Sequence, residues 1–367
     1  MCYAYYVIDM DKDIVKVLRK LEDKGYIAYL VGGYPRDLYM GNISCDYDIC
    51  TSAKPKEIKS IFSKYIVSSE HYGCVTIFYH NKRYEITTLR KDITYFNNRF
   101  PVSLKYVKDL KTDLLRRDFK MNTICINSDG EYVDLLNGRE DIDNKIIRVV
   151  GDSDKKIRED ALRILRAVRF ATILDFDLDD KLIMSIKKYK SLVKNLSYER
   201  KKEELDKIFA SSNAIKGIDL IKNLQLDKYL DINIDSVKKV NNIIGYWVQV
   251  DTGKYRFTKY EGEQINKVRE LMDLDMTNKI LYKYGLYVCL IAADLKNLDI
   301  KDITKRYNNL PIKSRKDIVL EPLEICEILN KKPGSWLNDI IKNIEDKIID
   351  GELKNDKISL IDYLKNN

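Results

Sequence analysis

The sequence predicts an α/β module over residues 1–150 followed by helices to residue 367. Two patterns carry that division. Short β-like runs bounded by polar turns are confined to the first 150 residues, and from Ser153 onward apolar residues recur at helical spacing. The chain length also exceeds one convenient core and leaves room for roughly two to four modules.

In chain order, AYLVGG (Ala28 to Gly33) is expected as a strand ending in glycines, and Asp46 to Cys50 as a second strand. Pro55 to Phe62 has a helical period with proline near its start. Cys74 to His80 and Arg83 to Leu89 flank Asn81 and Lys82 as a hairpin, while Asn122 to Asn127 and Ile146 to Val150 add strand material. DSDKKIREDALRILRAVRFATIL, from Asp152, places Ile157, Ala161, Leu162, Leu165, Val168 and Ala171 on one stripe of a helix. Leu182, Ile186, Tyr189 and Val193 repeat the pattern. Asn308 to Asp317 and Lys331 to Trp336 read as breaks, and the last residues as one more helix.

Composition narrows the chemistry. Lys and Arg number 65 against 57 Asp and Glu, a net charge of +8 that suits an anionic partner but also fits a general lysine bias. Only two histidines are present, His71 and His80, which removes most zinc hydrolases and Ser-His-Asp or Cys-His catalysis. Metal chemistry must therefore rest on carboxylates, and so on magnesium or manganese. Seven cysteines without Cys-x-x-Cys spacing argue against a zinc site and a disulfide framework. With no membrane-length apolar run and no charged leader, a cytoplasmic protein without membrane contact is expected.

The densest signal is LVGGYPRDLYMGNISCDYDICTS, Leu30 to Ser52. On a strand, residues i and i+2 share a face, so Asp46 and Asp48 would present paired carboxylates able to hold divalent cations for phosphoryl transfer. Asp-x-Asp by itself is also common in surface turns. Gly32 and Gly33 allow close backbone approach, and free N–H groups leading into a helix can cradle phosphate. Arg36 could bind that phosphate with Asp37 as its brace. Glu85 is either a third carboxylate of the acidic group or a solvent-side residue of its strand. Arg116 and Arg117 could grip triphosphate oxygens, or form a solvated turn. Asp160, Arg163 and Arg166 follow i,i+3 spacing. They offer acceptors and donors for a cytosine or adenine edge, with Glu159 and Arg169 organising the wall. The same spacing also suits a plain ion pair worth ~0.2–0.5 kcal/mol.

Taken in order, these segments resemble the bacterial-type class II nucleotidyltransferases, the tRNA CCA-adding enzymes and poly(A) polymerases of the polymerase-beta superfamily. Leu30 to Thr51 matches the Gly-Gly, Arg-Asp and Asp-x-Asp signature. RRDFKMN (Arg116 to Asn122) is similar to the arginine-rich motif, with Lys120 where many members have threonine. DLLNGREDID (Asp134 to Asp143), EDALRILRAVRFA (Glu159 to Ala171) and LSYERKKEEL (Leu196 to Leu205) resemble the head–neck, nucleotide-selecting and neck motifs.

The resemblance implies an α/β nucleotidyltransferase head (1–150), then an all-helical neck (151–210), body (211–305) and tail (306–367) in an elongated, seahorse-like molecule. It implies Mg2+ at Asp46 and Asp48, with Glu85 as a further catalytic candidate. Gly32, Gly33, Arg36, Asp37, Arg116, Arg117, Asn122, Asp160, Arg163, Arg166 and Arg169 would form the nucleotide site. CTP and ATP would be substrates and the tRNA acceptor arm the partner of a monomer or weak homo-oligomer. The family adds CCA, CC, A or poly(A). Leu89 to Asp109 fills the place of a loop needed for A addition, with Arg90, Asp92, Tyr95, Arg99 and Pro101 matching it and Ile93 and Asn97 departing. A CC-only enzyme is thereby disfavoured, while A-only and poly(A) addition stay open.

Overall fold

The computed structural model describes residues 10–69, 72–96 and 100–366, and for 67–69, 94–96 and 100–103 the backbone alone. Asn97 and Arg99 of the expected loop lie outside the described residues. The chain divides into two compact units, one ending at Asp231 and one beginning at Ile232.

The first unit opens with α1 (Lys12–Glu22), β1 (Ala28–Val31), α2 (Gly33–Tyr39), β2 (Tyr47–Thr51) and α3 (Pro55–Ile61). β3 (Tyr65–Ser69), β4 (Cys74–Tyr79) and β5 (Lys82–Thr88) follow, then β6 (Arg90–Phe96), β7 (Phe100–Tyr106) and α4 (Leu110–Arg116). After these come β8 (Cys125–Ile126), β9 (Tyr132–Val133) and α5 (Gly138–Asp143). Seven strands form one sheet in the order β3-β4-β5-β2-β1-β8-β9, in which β2 and β5 run parallel.

Strand alternation sorts the two faces. Leu30 and Ile49 turn to a core made with Ile14, Leu18 and Leu21 of α1 and Ile58 of α3. Val31 and Cys50 turn the other way, against Leu110 and Leu114 of α4. Asp48 shares the side of Cys50, which is why α4 and the acidic strand meet on one face.

The hairpin β4–β5 forms as expected, but its register pairs Tyr79 with Lys82, so the turn residues are His80 and Asn81. Both adopt positive φ, 45° and 64°, as a tight primed turn demands. β6 and β7 form an antiparallel pair apart from the main sheet rather than a plain loop. The expected strand at Asn122 to Asn127 shrinks to β8, because Lys120–Asn122 is a 3-10 turn.

Beyond the sheet, β10 (Ile146–Ile147) pairs in parallel with β11 (Asp177–Leu178), which lies after α6 (Ser153–Glu159) and α7 (Leu162–Leu174). α8 (Asp180–Tyr189), α9 (Tyr198–Phe209) and α10 (Ala214–Asn223) continue the helical part. The single helix expected across Ser153 to Leu174 is in fact two. Asp160 is extended, at φ −149° and ψ 103°, and separates α6 from α7.

The second unit is helical, including Ile243–Val250, Lys259–Leu271, Asn278–Leu295 and Trp336–Ile349. Trp247 packs against Tyr255 and Phe257. Ile312, Ile325, Ile344 and Leu360 form a second core. Among the described residues no helix is long and apolar enough to cross a membrane.

Candidate active site

The floor of the site is the turn from β1 into α2. Gly32 has φ +87°, a left-handed conformation open to glycine at no steric cost, and a Cβ built there would sit 3.1 Å from Asp48 Oδ2. Glycine therefore lets the backbone lie against the carboxylate. Asp48 is on β2 and Asp46 immediately precedes it. Tyr47 between them faces the core, its ring 5.1 Å from Tyr84 and 5.3 Å from Tyr34.

Above this floor stands the end of α4. Asp113 is wholly buried and accepts Arg116 Nε at 2.8 Å, Arg117 Nη2 at 3.2 Å and the Arg90 amide at 3.1 Å. Burial alone would raise its pKa, but the two guanidiniums outweigh it and hold the carboxyl below its usual range. A second chain of bonds ties α2 to α7. Arg36 is braced by Asp37 at 2.7–2.9 Å and donates to Asn122 Oδ1 at 2.7 Å. Asn122 donates to Asp118 at 3.3 Å, and Asp118 accepts Arg166 Nε at 2.8 Å. Burial opposes the Asp118 charge, yet Arg166 keeps that carboxyl well below the ordinary range. Phe170 is the apolar pillar of the wall, with the guanidiniums of Arg36, Arg166 and Arg169 at 5.3, 5.4 and 4.3 Å from its ring centre.

Asp160 and Arg163 do not sit on one helix as their spacing suggests. Asp160 occupies the break, its Oδ1 accepting the Leu162 amide at 3.0 Å. Arg163, on the first turn of α7, is 7% exposed and donates to Lys156 O at 2.6 Å, Glu159 at 3.3 Å and Arg116 O at 3.4 Å. A guanidinium has five N–H donors, so about two remain for a ligand. Arg169 faces Glu204 of α9 at 3.3 Å.

These groups enclose a cleft of about 720 Å³. Its lining brings together Gly32, Gly33, Arg36, Asp46, Asp48, Arg116, Arg117, Asn122, Asp160, Arg163, Arg166 and Arg169. Asp37 stands behind Arg36. Glu85 lies opposite Asp48 in the parallel register of β2 and β5, bonds Arg83, and lines a separate hollow of about 440 Å³ that also includes Asp46. Among the described residues no group of three or more His, Cys, Asp or Glu is placed to hold a metal ion, so the acidic site rests on two aspartates. Arg90 and Asp92, matched in the sequence to the loop, also line the cleft, and so do Asp118, Phe170, Ile173 and Lys207, which the sequence-based selection passed over. Asp113 escaped too, although its i,i+3 and i,i+4 spacing to Arg116 and Arg117 was a usable signal.

Family models match three stretches: the Poly A polymerase head domain over residues 28–148, an RNA and SrmB binding site of polymerase A over 175–231, and tRNA nucleotidyltransferase domain 2 over 254–364. A CCA-adding enzyme of Ligilactobacillus salivarius is 31% identical over 390 residues, covering 97% of this chain and 96% of the relative. The chain belongs to the CCA-adding enzyme family. Another member, from Staphylococcus aureus, is 30% identical over 396 residues and covers 97% of this chain and 99% of its own. The crystal structure of the Bacillus stearothermophilus CCA-adding enzyme in complex with CTP is 27% identical, with a TM-score of 0.81 over 97% of this chain and 98% of that one.

In this member of the CCA-adding enzymes the cleft is lined by seven arginines and Lys207 against five aspartates, an excess of positive charge suited to a polyanion. The acidic pair is the exception. Burial, and next the like charge of Asp46, push the Asp48 carboxyl up to about 7. Two crowded carboxylates beside the Gly32–Gly33 turn form a hard-oxygen donor set that fits magnesium, whose charge would favour their ionised form.

Proposed function

We propose that this chain adds the terminal CCA to the 3′ end of tRNA without a nucleic-acid template, using CTP and ATP and releasing pyrophosphate. One observation supports the proposal: Asp46, Asp48, Arg36, Arg116, Arg117, Asp160 and Arg163 line a single cleft. Asp46 and Asp48 hold Mg2+ in this reading. The bound ions would supply charge neutralisation at the reacting phosphate and acidify the attacking 3′-hydroxyl.

The chain's own residues do the rest. The backbone at Gly32 and Gly33 approaches the triphosphate, and Arg36, Arg116 and Arg117 bind its oxygens from positions fixed by Asp37 and Asp113. Asp160 supplies acceptors and Arg163 its remaining donors to the edge of cytosine or adenine. Arg166 and Arg169, held against Phe170, close the wall around the base. The head (1–150) and neck (151–210) carry this chemistry, while the body (211–305) and tail (306–367) grip the tRNA acceptor arm through backbone contacts that measure its shape. The protein works as a monomer or weak homo-oligomer in the cytoplasm.

The match of residues 28–148 to the Poly A polymerase head domain favours poly(A) addition as the second reading. One assay separates them. tRNA transcripts ending before CCA, transcripts ending in CC and an unrelated RNA are given CTP, ATP or both, and products are resolved at single nucleotides. The proposal requires two cytidines and one adenosine on the first substrate and one adenosine on the second. Long A tracts on every RNA would favour the polymerase, and no extension would defeat both.

A further inference from the structure

We propose that Lys156 is a positioning residue for nucleotide selection, locking the base-facing Arg163 and the phosphate-facing Arg116 and Arg117 into one rigid group. The proposal rests on the nucleotide addition described above.

α4 ends at Arg116, so its last carbonyls lack partners inside the helix. Three consecutive carbonyls are taken by two cations from beyond the head. Lys156 Nζ donates to Leu115 O at 2.8 Å and to Arg117 O at 3.2 Å. Arg163 Nη2 donates to Arg116 O, between them, at 3.4 Å. The two residues are also joined through the backbone, because the Lys156 carbonyl accepts Arg163 Nη1 at 2.6 Å. Each is 7% exposed. A helix C-terminus carries partial negative charge and favours such donors.

Lys156 itself does not line the cleft. It buries an ammonium whose hydrogen bonds go to backbone carbonyls, a costly placement that needs well-formed acceptors. Its effect must pass through the arginines it holds. With the three carbonyls clamped, a base that displaces Arg163 also displaces the ends of Arg116 and Arg117. A mismatch at the base is thereby felt at the triphosphate and lowers the rate, so recognition is converted into turnover. Without the clamp the arginines could still bind phosphate, but independently of which base is present.

The test compares the full-length protein with Lys156→Met and Lys156→Arg. Single additions to tRNA lacking CCA are measured with CTP against UTP, and CTP binding is measured without tRNA. Lys156→Met is expected to lower the CTP-over-UTP ratio of kcat/KM about tenfold, with CTP binding held within about twofold and the ratio restored within about threefold by Lys156→Arg. A folded Lys156→Met with an unchanged ratio overturns the proposal. So does a ratio that falls only as CTP binding falls, since that is a structural role.

A second arm needs no folded methionine variant. Burial lowers the ammonium to about 8, among the facing charges of Arg163, Glu159, Asp118 and Asp92. Between pH 7 and 9 the wild type should lose discrimination as Lys156 discharges, while Lys156→Arg, with the same neighbours, should not. Parallel profiles for the two proteins overturn the proposal. Failure of the wild type to add C or A to any tRNA would instead overturn the enzyme activity itself.

Discussion

Asp113 holds Arg116 from inside the protein: the carboxylate, with no solvent exposure, accepts the guanidinium Nε proton at 2.8 Å. The same carboxylate takes Arg117 through its other oxygen. Asp113→Ala leaves both guanidiniums without this partner, and removal of one member of a buried pair typically costs about 3–5 kcal/mol. Urea unfolding should show a loss of that size. In protein that still folds, the KM for CTP should rise at least about tenfold, since charge-assisted bonds are worth about 1.5–3 kcal/mol each. A normal KM would mean the arginines do not grip the triphosphate.

The contact between Gly32 and Asp48 predicts a second outcome. Gly32→Ala must adopt φ +87° and place its Cβ 3.1 Å from Asp48 Oδ2. Either the backbone or the carboxylate shifts, and displacements of that kind cost about 100-fold in rate. Asp46→Ala and Asp48→Ala should abolish nearly all incorporation while leaving tRNA binding intact, since the body and tail carry that contact in the proposed function. Nucleotide extension gels and filter binding read the two quantities. Substantial residual turnover in either alanine variant would remove the acidic pair from the chemistry.

Selection is expected to reside at the break between α6 and α7. Asp160→Ala and Arg163→Ala should each reduce preference for CTP and ATP over UTP and GTP by about ten- to hundredfold, the worth of one good base contact. Triphosphate binding should change less. Competition assays with all four nucleotides decide it, and an unaltered product spectrum in both variants would end the base-pairing role of these side chains.

Asp141, wholly buried on α5, carries a prediction about acid stability. Burial pushes its carboxyl up to about 6 despite the nearby Arg148, and its Oδ2 has no hydrogen-bond partner. A raised acid binds its proton more tightly when folded, so its favourable contribution is complete below the unfolded value near 4 and is lost as pH rises to about 6. Asp141→Asn should therefore gain on the wild type by about 2 kcal/mol between pH 4 and 7, at 1.4 kcal/mol per unit. Denaturant midpoints across that range test it. Parallel curves would show that Arg148 neutralises the group fully.

The β4–β5 hairpin, the proline-started α3 and the change to helices after Ser153 were legible in the chain because alternation, turn chemistry and helical period act over a few residues. The acidic pair and the arginine motifs were legible for the same reason. The helix break at Asp160 was not, since its flanking apolar stripe continues unbroken through Ala161 and Leu162 and disguises an extended residue whose side chain accepts the Leu162 amide.

By itself, then, the sequence determined which chemistry was available: carboxylates without histidine, glycines before a helix, and arginines enough for a polyanion. Only the tertiary structure decided how those groups divide between contact and support. Asp113 and Asp118 look alike in the chain, two acids flanking an arginine pair. Folding sinks Asp113 behind that pair and turns Asp118 into the cleft against Arg166. The same holds for Lys156, one lysine among many until the end of α4 is brought against it. Burial and long-range hydrogen bonds arise from packing between distant segments, and no local pattern of residues encodes which of them will meet.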